Sequence, residues 1–289
     1  MMSSIAPFWD GNETWLVLGG AGLFAAFPLA YATLLPALYV PVMLMLFALV
    51  LRGVAFEYRF KSMRTRRYWD ASFSLGAFVA AMAQGVMVGA LLRGVPVVER
   101  SFAGGSFDWL TVFNLVCGLG VVVGYGMFGA TWLVLKTEGR LRDWAYRKAL
   151  QFLPAAAAFV LLICVWTPLA QPAVAERWLA NSRLLMLAPI PLLTAFAGFQ
   201  LRSTLRQRSV LTPFIWTVLI IISLGMGLAV SLYPFVVPFS VTLWDAAPQR
   251  ESQMFLLTGV VILLPVVLAY TAYNYWVFRG KVQMHQDYH

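Results

Sequence analysis

Between Trp15 and Val50 the chain runs for 36 residues without one charged side chain. As a single helix this run would be ~54 Å long at 1.5 Å per residue, far beyond what a hydrocarbon core of roughly 30 Å accommodates by tilt. It reads as two passes. Pro28 and Pro36 bracket the expected turn, because each removes a backbone donor and disfavours helix in the residue before it. Further apolar stretches run approximately from Ala71 to Leu92, Trp109 to Leu135, Ala149 to Ala170, Leu184 to Leu201, Leu211 to Tyr233 and Met254 to Phe278. The fold class is therefore all-α, a polytopic helical membrane protein with about eight transmembrane helices. Charged residues make up 11% of the chain against about 25% in a soluble domain. Together with a mean hydropathy of +0.77, this excludes a disordered chain, a disulfide scaffold and a nucleic-acid binder.

The net charge of +9 is distributed by loop. Basic residues cluster from Arg52 to Arg67, from Lys136 to Lys148, at Arg202, Arg206 and Arg208, and at Arg279 and Lys281, which accounts for 16 of the 21. Arg93, Arg100, Arg177, Arg183 and Arg250 occupy the alternate loops. By the positive-inside rule the loops after the second, fourth, sixth and eighth passes, and both termini, face the cytoplasm. A single first pass would place the N-terminus outside and leave the rest unchanged. No cleavable signal peptide is expected, since a polar Trp-Asp-Gly-Asn-Glu cluster precedes any apolar core.

Cysteine and histidine narrow the chemistry further. Cys117 and Cys164 each lie in an apolar run and read as small packing residues, with no disulfide framework or metal pair. The only histidines, His285 and His289, lie in the last five residues, out of reach of the membrane interior. Methionines such as Met43, Met45, Met82, Met87, Met127, Met186 and Met226 read as gap-fillers rather than axial ligands. Gly85 with Gly89, and Gly120 with Gly124, have the spacing that lets helices approach closely, within the chain or with a partner.

Ionisable residues inside a membrane mark functional sites, and spans three to eight have none away from their ends. They contain polar residues instead, among them Gln84, Asn114, Gln200 and Asn274. The candidates are confined to Asp10 and Glu13 before the first span, Arg52 and Glu57 at the end of the second, and Asp70 at the start of the third. Asp10 with Glu13 three residues on has the form of a capping box, and equally of a carboxylate at a membrane mouth that collects protons. Arg52 and Asp70 either form an ion pair between two spans or mark the membrane boundary. A stand-alone transporter would place charges or broken helices near the midplane; Pro189, Pro191 and Pro265 have no charge beside them. No nucleophile–base pair appears either. The residues point to a membrane subunit whose chemistry belongs to a partner, with a small-molecule or ion transporter as the alternative.

Several segments carry a family resemblance. Residues Ile5-Ala6-Pro7-Phe8-Trp9-Asp10-Gly11-Asn12-Glu13-Thr14-Trp15, followed by Gly19-Gly20-Ala21-Gly22-Leu23-Phe24-Ala25-Ala26-Phe27-Pro28, resemble subunit II of cytochrome bd-type ubiquinol oxidases, particularly the cyanide-insensitive branch. Arg52-Gly53-Val54-Ala55-Phe56-Glu57-Tyr58-Arg59, Trp69-Asp70, Gly129-Ala130-Thr131-Trp132, Tyr233 to Pro238 with Leu243-Trp244-Asp245-Ala246, and Tyr270 to Trp276 follow in the family's order. The resemblance covers nearly the whole chain.

It implies a non-haem subunit of a quinol:oxygen oxidoreductase in the bacterial cytoplasmic (inner) membrane. The expected partner is a subunit I that carries the b and d haems and oxidises quinol, and a small single-helix accessory subunit and membrane lipids are further expected partners. No cofactor or metal is expected on this chain, and no residue of it is expected to be catalytic. Asp10 matches the family's proton-path aspartate, with Glu13 as a second candidate. Trp9, Arg52, Glu57, Asp70, Trp244 and Asp245 match positions expected to support the haem and the subunit interface. The family carries a further N-terminal span before the Trp-Asp motif. On that basis the full subunit has nine passes, and this chain is read as truncated before its second. It is one membrane domain over 1–289: an incomplete first bundle at about 5–135, a second half at about 149–278, and a cytoplasmic tail at 279–289.

Overall fold

A computed structural model of the protein describes residues 1–62, 64–179 and 187–282. His285, His289, Arg183, Met186 and the first residues of the expected sixth span lie outside the described residues. Those described form eleven α-helices, one short 3-10 turn and two two-stranded hairpins. The helices are α1 (Trp9–Ala26), α2 (Pro28–Ala37), α3 (Tyr39–Lys61), α4 (Arg66–Arg93), α5 (Val112–Lys136), α6 (Gly139–Ala170), α7 (Pro172–Leu179), α8 (Pro189–Arg206), α9 (Thr212–Leu232), α10 (Leu243–Ala246) and α11 (Arg250–Val277). Strands β1 (Val97–Val98) and β2 (Ser101–Phe102) join α4 to α5, and β3 (Phe235–Val237) and β4 (Val241–Thr242) join α9 to α10.

Six helices, α3, α4, α5, α6, α9 and α11, are long and apolar enough to cross a membrane. The other two expected passes correspond to α1 and α8, of 18 residues each. Both fall outside that set because a polar turn occupies one end: Asp10 to Thr14 in α1, and Arg202 to Arg206 in α8.

The long apolar run breaks differently from the expected single turn. The helix stops at Phe27, restarts with Pro28 at its head, and breaks again at Leu38. Proline is tolerated at a first helical position because the amide it lacks has no partner there, so what was expected to be a turn is the ten-residue helix α2. Pro189 and Pro191, expected in mid-span, sit in the first turn of α8 for the same reason. Helix α6 extends ten residues ahead of the expected span, taking the basic segment from Arg140 to Lys148 into the helix.

Consecutive helices pack as neighbours: α3 on α4, α4 on α5, α5 on α6, and α8 on α9, with α9 also against α5. Glycines set the closest of these approaches. A methyl group on Gly85 would lie 2.6 Å from the Cys117 carbonyl, and one on Gly89 would lie 2.8 Å from the Asn114 Cα. The Gly85/Gly89 pair is thus spent within the chain, between α4 and α5. Gly76 meets the Ala48 carbonyl of α3 in the same way, at 2.6 Å. Of the second pair, Gly120 faces Phe159 and Ile163 of α6, whereas Gly124 has nothing within 4 Å.

Apolar cores follow these contacts. Met127, Val134, Tyr146, Leu201, Leu205 and Ile220 join α5, α6, α8 and α9; Met45, Leu49, Ala80 and Ala83 join α3 to α4, with Leu16 of α1 against them. At the end remote from Asp10, α2 packs on the β3–β4 hairpin through Ala30, Leu34, Val237 and Val241. Cys117 is buried as expected, but Cys164 is exposed on the outside of α6.

Candidate functional site

The candidate residues separate into two groups at opposite ends of the helices. Helix α4 spans the distance: Asp70 lies in its first turns and Arg93 ends it, roughly 35 Å apart along the axis at 1.5 Å per residue.

The larger group surrounds the head of α1. Phe8 precedes the helix, and Trp9, Asp10 and Glu13 lie in its first turns. Spacing alone suggested a capping box here. The structure corrects this: the N-cap is Phe8, which has no oxygen to offer, no side-chain cap bond forms, and Asp10 stands one residue inside the helix. A carboxylate in a first turn is still favoured by the helix dipole. Asp10 is exposed, and among the described residues its carboxylate makes no ion pair; its backbone carbonyl accepts from the Thr14 hydroxyl at 3.2 Å.

Glu13, three residues on, lies on the same side of the helix. Its Oε1 accepts from Arg52 Nη2 of α3 at 2.5 Å, and both side chains are about one quarter exposed. The Arg52–Asp70 pair considered from the sequence does not form. Asp70 pairs with Arg59 instead. The reason is geometric: Gly76 lets α4 lie against Arg52's own backbone and Cβ, so the guanidinium is sent toward α1. Arg59, two turns nearer the helix end, is left to meet Asp70. Glu57 is exposed and pairs with Lys61 on the same helix at 3.8 Å. Trp9 fills the space over Gly53, whose missing side chain would meet the indole at 3.4 Å, and its ring centroid lies 5.3 Å from that of Phe56.

Trp244 and Asp245 stand at the other end, on α10. The carboxylate of Asp245 accepts from the Thr242 hydroxyl at 2.5 Å and from the Thr242 amide at 3.3 Å, while the Asp245 amide donates back to the Thr242 hydroxyl at 3.2 Å. This is a capping box. The Thr242 hydroxyl, then its amide, hold the Asp245 carboxyl below the usual aspartate value. Arg100, from the β1–β2 turn, donates to the Asp245 backbone carbonyl at 3.4 Å. Trp244 is exposed and stands edge-on to Tyr233 at 6.2 Å.

One residue with a distinctive setting was not singled out from the sequence. Among the described residues, Lys136 is the one charged side chain that is buried, at 4% exposed. Its Nζ lies 5.4 Å from the Phe8 ring centroid and 5.1 Å from that of Trp132, and it donates to the Phe278 carbonyl at 2.6 Å. A lysine one turn after a tryptophan at a helix end is a readable signal. Its partners, more than 120 residues away at both ends of the chain, are not.

A sequence model of the cytochrome bd terminal oxidase subunit II family matches residues 1–278. This chain belongs to that family. It is 32% identical to the cytochrome bd-I ubiquinol oxidase subunit 2 of Escherichia coli strain K12, in an alignment covering 98% of this chain and 84% of the relative. The cytochrome bd ubiquinol oxidase subunit 2 of Bacillus subtilis is 27% identical over the same shares. Among solved structures, the bd oxidase from Geobacillus thermodenitrificans has the same fold, with a TM-score of 0.67 at 11% identity over 96% of this chain and 86% of that one. The motif at the head of α1 thus sits in a subunit II fold.

Proposed function

We propose that this chain is the non-haem subunit of a bacterial quinol:oxygen oxidoreductase, which stabilises a haem-bearing subunit I and carries the cytoplasmic mouth of a proton path at the head of α1. Family membership and the ubiquinol oxidase relatives support the oxidase reading over a transporter. Among the described residues there is no histidine, a common axial haem ligand. Met45 and Met127 are packed in apolar cores. Haem, when bound in the complex, supplies the oxygen chemistry from the partner.

The observation that carries the proton reading is the arrangement of two carboxylates on one helix turn. Asp10 is exposed, and Glu13 is tied to Arg52 one turn further along. A proton taken up at an Asp10 carboxylate oxygen has a second carboxylate within a turn as its next acceptor. Arg52 holds that acceptor against α3. The basic clusters at this end support a cytoplasmic orientation for it by the positive-inside rule. A small single-helix subunit and lipids complete the proposed assembly in the inner membrane. The proposed division is a first bundle near 5–135 and a second half near 149–278.

The test is Asp10→Asn in the assembled complex. Quinol-dependent oxygen uptake is expected to fall by about a hundredfold, the lower end of the range for loss of a positioned proton-transfer group, with the reduced-minus-oxidised haem spectrum unchanged. Full uptake with intact haem would remove Asp10 from the path. Loss of haem in this variant would assign the residue to haem retention instead.

A further inference from the structure

Helix α11 is attached to the protein in an unusual way. None of its residues is buried, so along its length it is not held by core packing. Its attachments gather at its last turn. The Asn274 amide donates to the Pro7 carbonyl at 3.1 Å, and Tyr275 stacks on Phe8 with centroids 4.4 Å apart. Phe278 meets Phe8 edge-on at 6.2 Å. Lys136, the last residue of α5, reaches across to the Phe278 carbonyl at 2.6 Å and the Gly280 carbonyl at 3.4 Å. The Val282 amide donates back to the Lys136 carbonyl at 3.0 Å.

The chemistry of this junction is that of a clamp. The last carbonyls of a helix have no partner within it and carry the negative end of its dipole. A buried ammonium without a partner is strongly unfavourable. Each deficiency answers the other: Lys136 supplies donors and charge to the end of α11, and the carbonyls together with the faces of Phe8 and Trp132 solvate the ammonium. Phe8 is the link onward. It is the N-cap of α1, buried between Lys136 and Tyr275, and the next residue, Trp9, is seated over Gly53 of α3. Nearby, Trp132 Nε1 donates to the Ser4 carbonyl at 3.3 Å.

We infer that Lys136 is a positioning residue: by holding the Phe278 and Gly280 carbonyls at the exit of α11 and the Phe8 ring at once, it sets where α1 begins and therefore where Asp10 and Glu13 stand. The clamp stands on this geometry alone; only its consequence for turnover rests on the proton role proposed above.

The experiment is hydrogen exchange by mass spectrometry on the assembled, full-length complex carrying Lys136→Gln or Lys136→Arg, with oxygen uptake and haem content measured on the same samples. Lys136→Gln is expected to speed exchange in the segments 3–10 and 270–282 together by about tenfold, the factor one charge-assisted hydrogen bond carries. Lys136→Arg, which keeps the charge and its donors, is expected to restore wild-type exchange in both. Unchanged exchange in Lys136→Gln, or loosening of one segment only, overturns the clamp. Should Lys136→Gln fail to assemble, Phe8→Leu, which leaves the charge in place, must loosen both segments; if it does not, the clamp is overturned. The turnover readout separates the two readings. Loosening with lower uptake and retained haem supports both, whereas loosening with full uptake supports the clamp and removes the proton role from this segment.

Discussion

Arg52 illustrates what a single side chain's direction decides. The sequence offered Asp70 as its partner, and the guanidinium bonds to Glu13 instead. A double-mutant cycle separates these alternatives. Arg52→Ala with Glu13→Ala is expected to show a coupling of about 1–2 kcal/mol in unfolding of the detergent-solubilised complex, as a partly screened charged hydrogen bond would. Arg52→Ala with Asp70→Ala is expected to be additive within about 0.5 kcal/mol. A coupling on Asp70 instead of Glu13 would refute the observed pairing. The presence of these charges at the membrane boundary was legible in the sequence. Their partners were not, because which way a side chain leaves a helix depends on what blocks its other exits, and here the block is the close approach of Gly76.

At the scale of helices, spacing was informative where small residues recur and silent about what they face. Gly85 and Gly89 admit α5 at near-contact distance, while Gly124, in an identical four-residue spacing with Gly120, has open space around it. Gly85→Leu is therefore expected to destabilise the protein by about 1–3 kcal/mol through overpacking, read as a lower midpoint in thermal unfolding of the solubilised complex. Gly124→Ala should leave that midpoint where it is. Equal losses in both variants would mean that Gly124 is also packed. Helix ends were harder to place. The break at Phe27 and the helix α2 depend on what covers that segment: α2 forms where the β3–β4 hairpin gives its apolar residues Ala30 and Leu34 a place to pack. A capping motif likewise requires a helix to start at the right residue. Asp10 and Glu13 have the spacing and lack the start, while Thr242 and Asp245 have both.

Across the whole molecule, residues far apart in sequence meet at the basic end of the helices, and one of these meetings is sensitive to acid. Lys281 donates to Glu138 at 2.6 Å, tying the segment after α11 to the α5–α6 turn. That hydrogen bond, and then the charge of Lys281, hold the Glu138 carboxyl below its ordinary value of 4.5. A carboxyl lowered in the folded state contributes stability that is complete above its ordinary value and lost as pH falls through the lowered one. The Val282 amide of the wild type is thus expected to be protected relative to Glu138→Gln at neutral pH, and the two should converge as pH falls below about 4.5. Identical protection at neutral pH would show that Lys136 alone secures this segment.

What the sequence determined by itself was the class of molecule, the regions of most of its long helices and the family, because hydropathy, charge asymmetry and contiguous motifs are properties of neighbouring residues. What the tertiary structure decided was which charges pair, which glycines are in contact, and that Lys136 joins the two ends of the chain. These follow from the approach of segments tens to hundreds of residues apart, where sub-ångström fit rather than local pattern determines the partner.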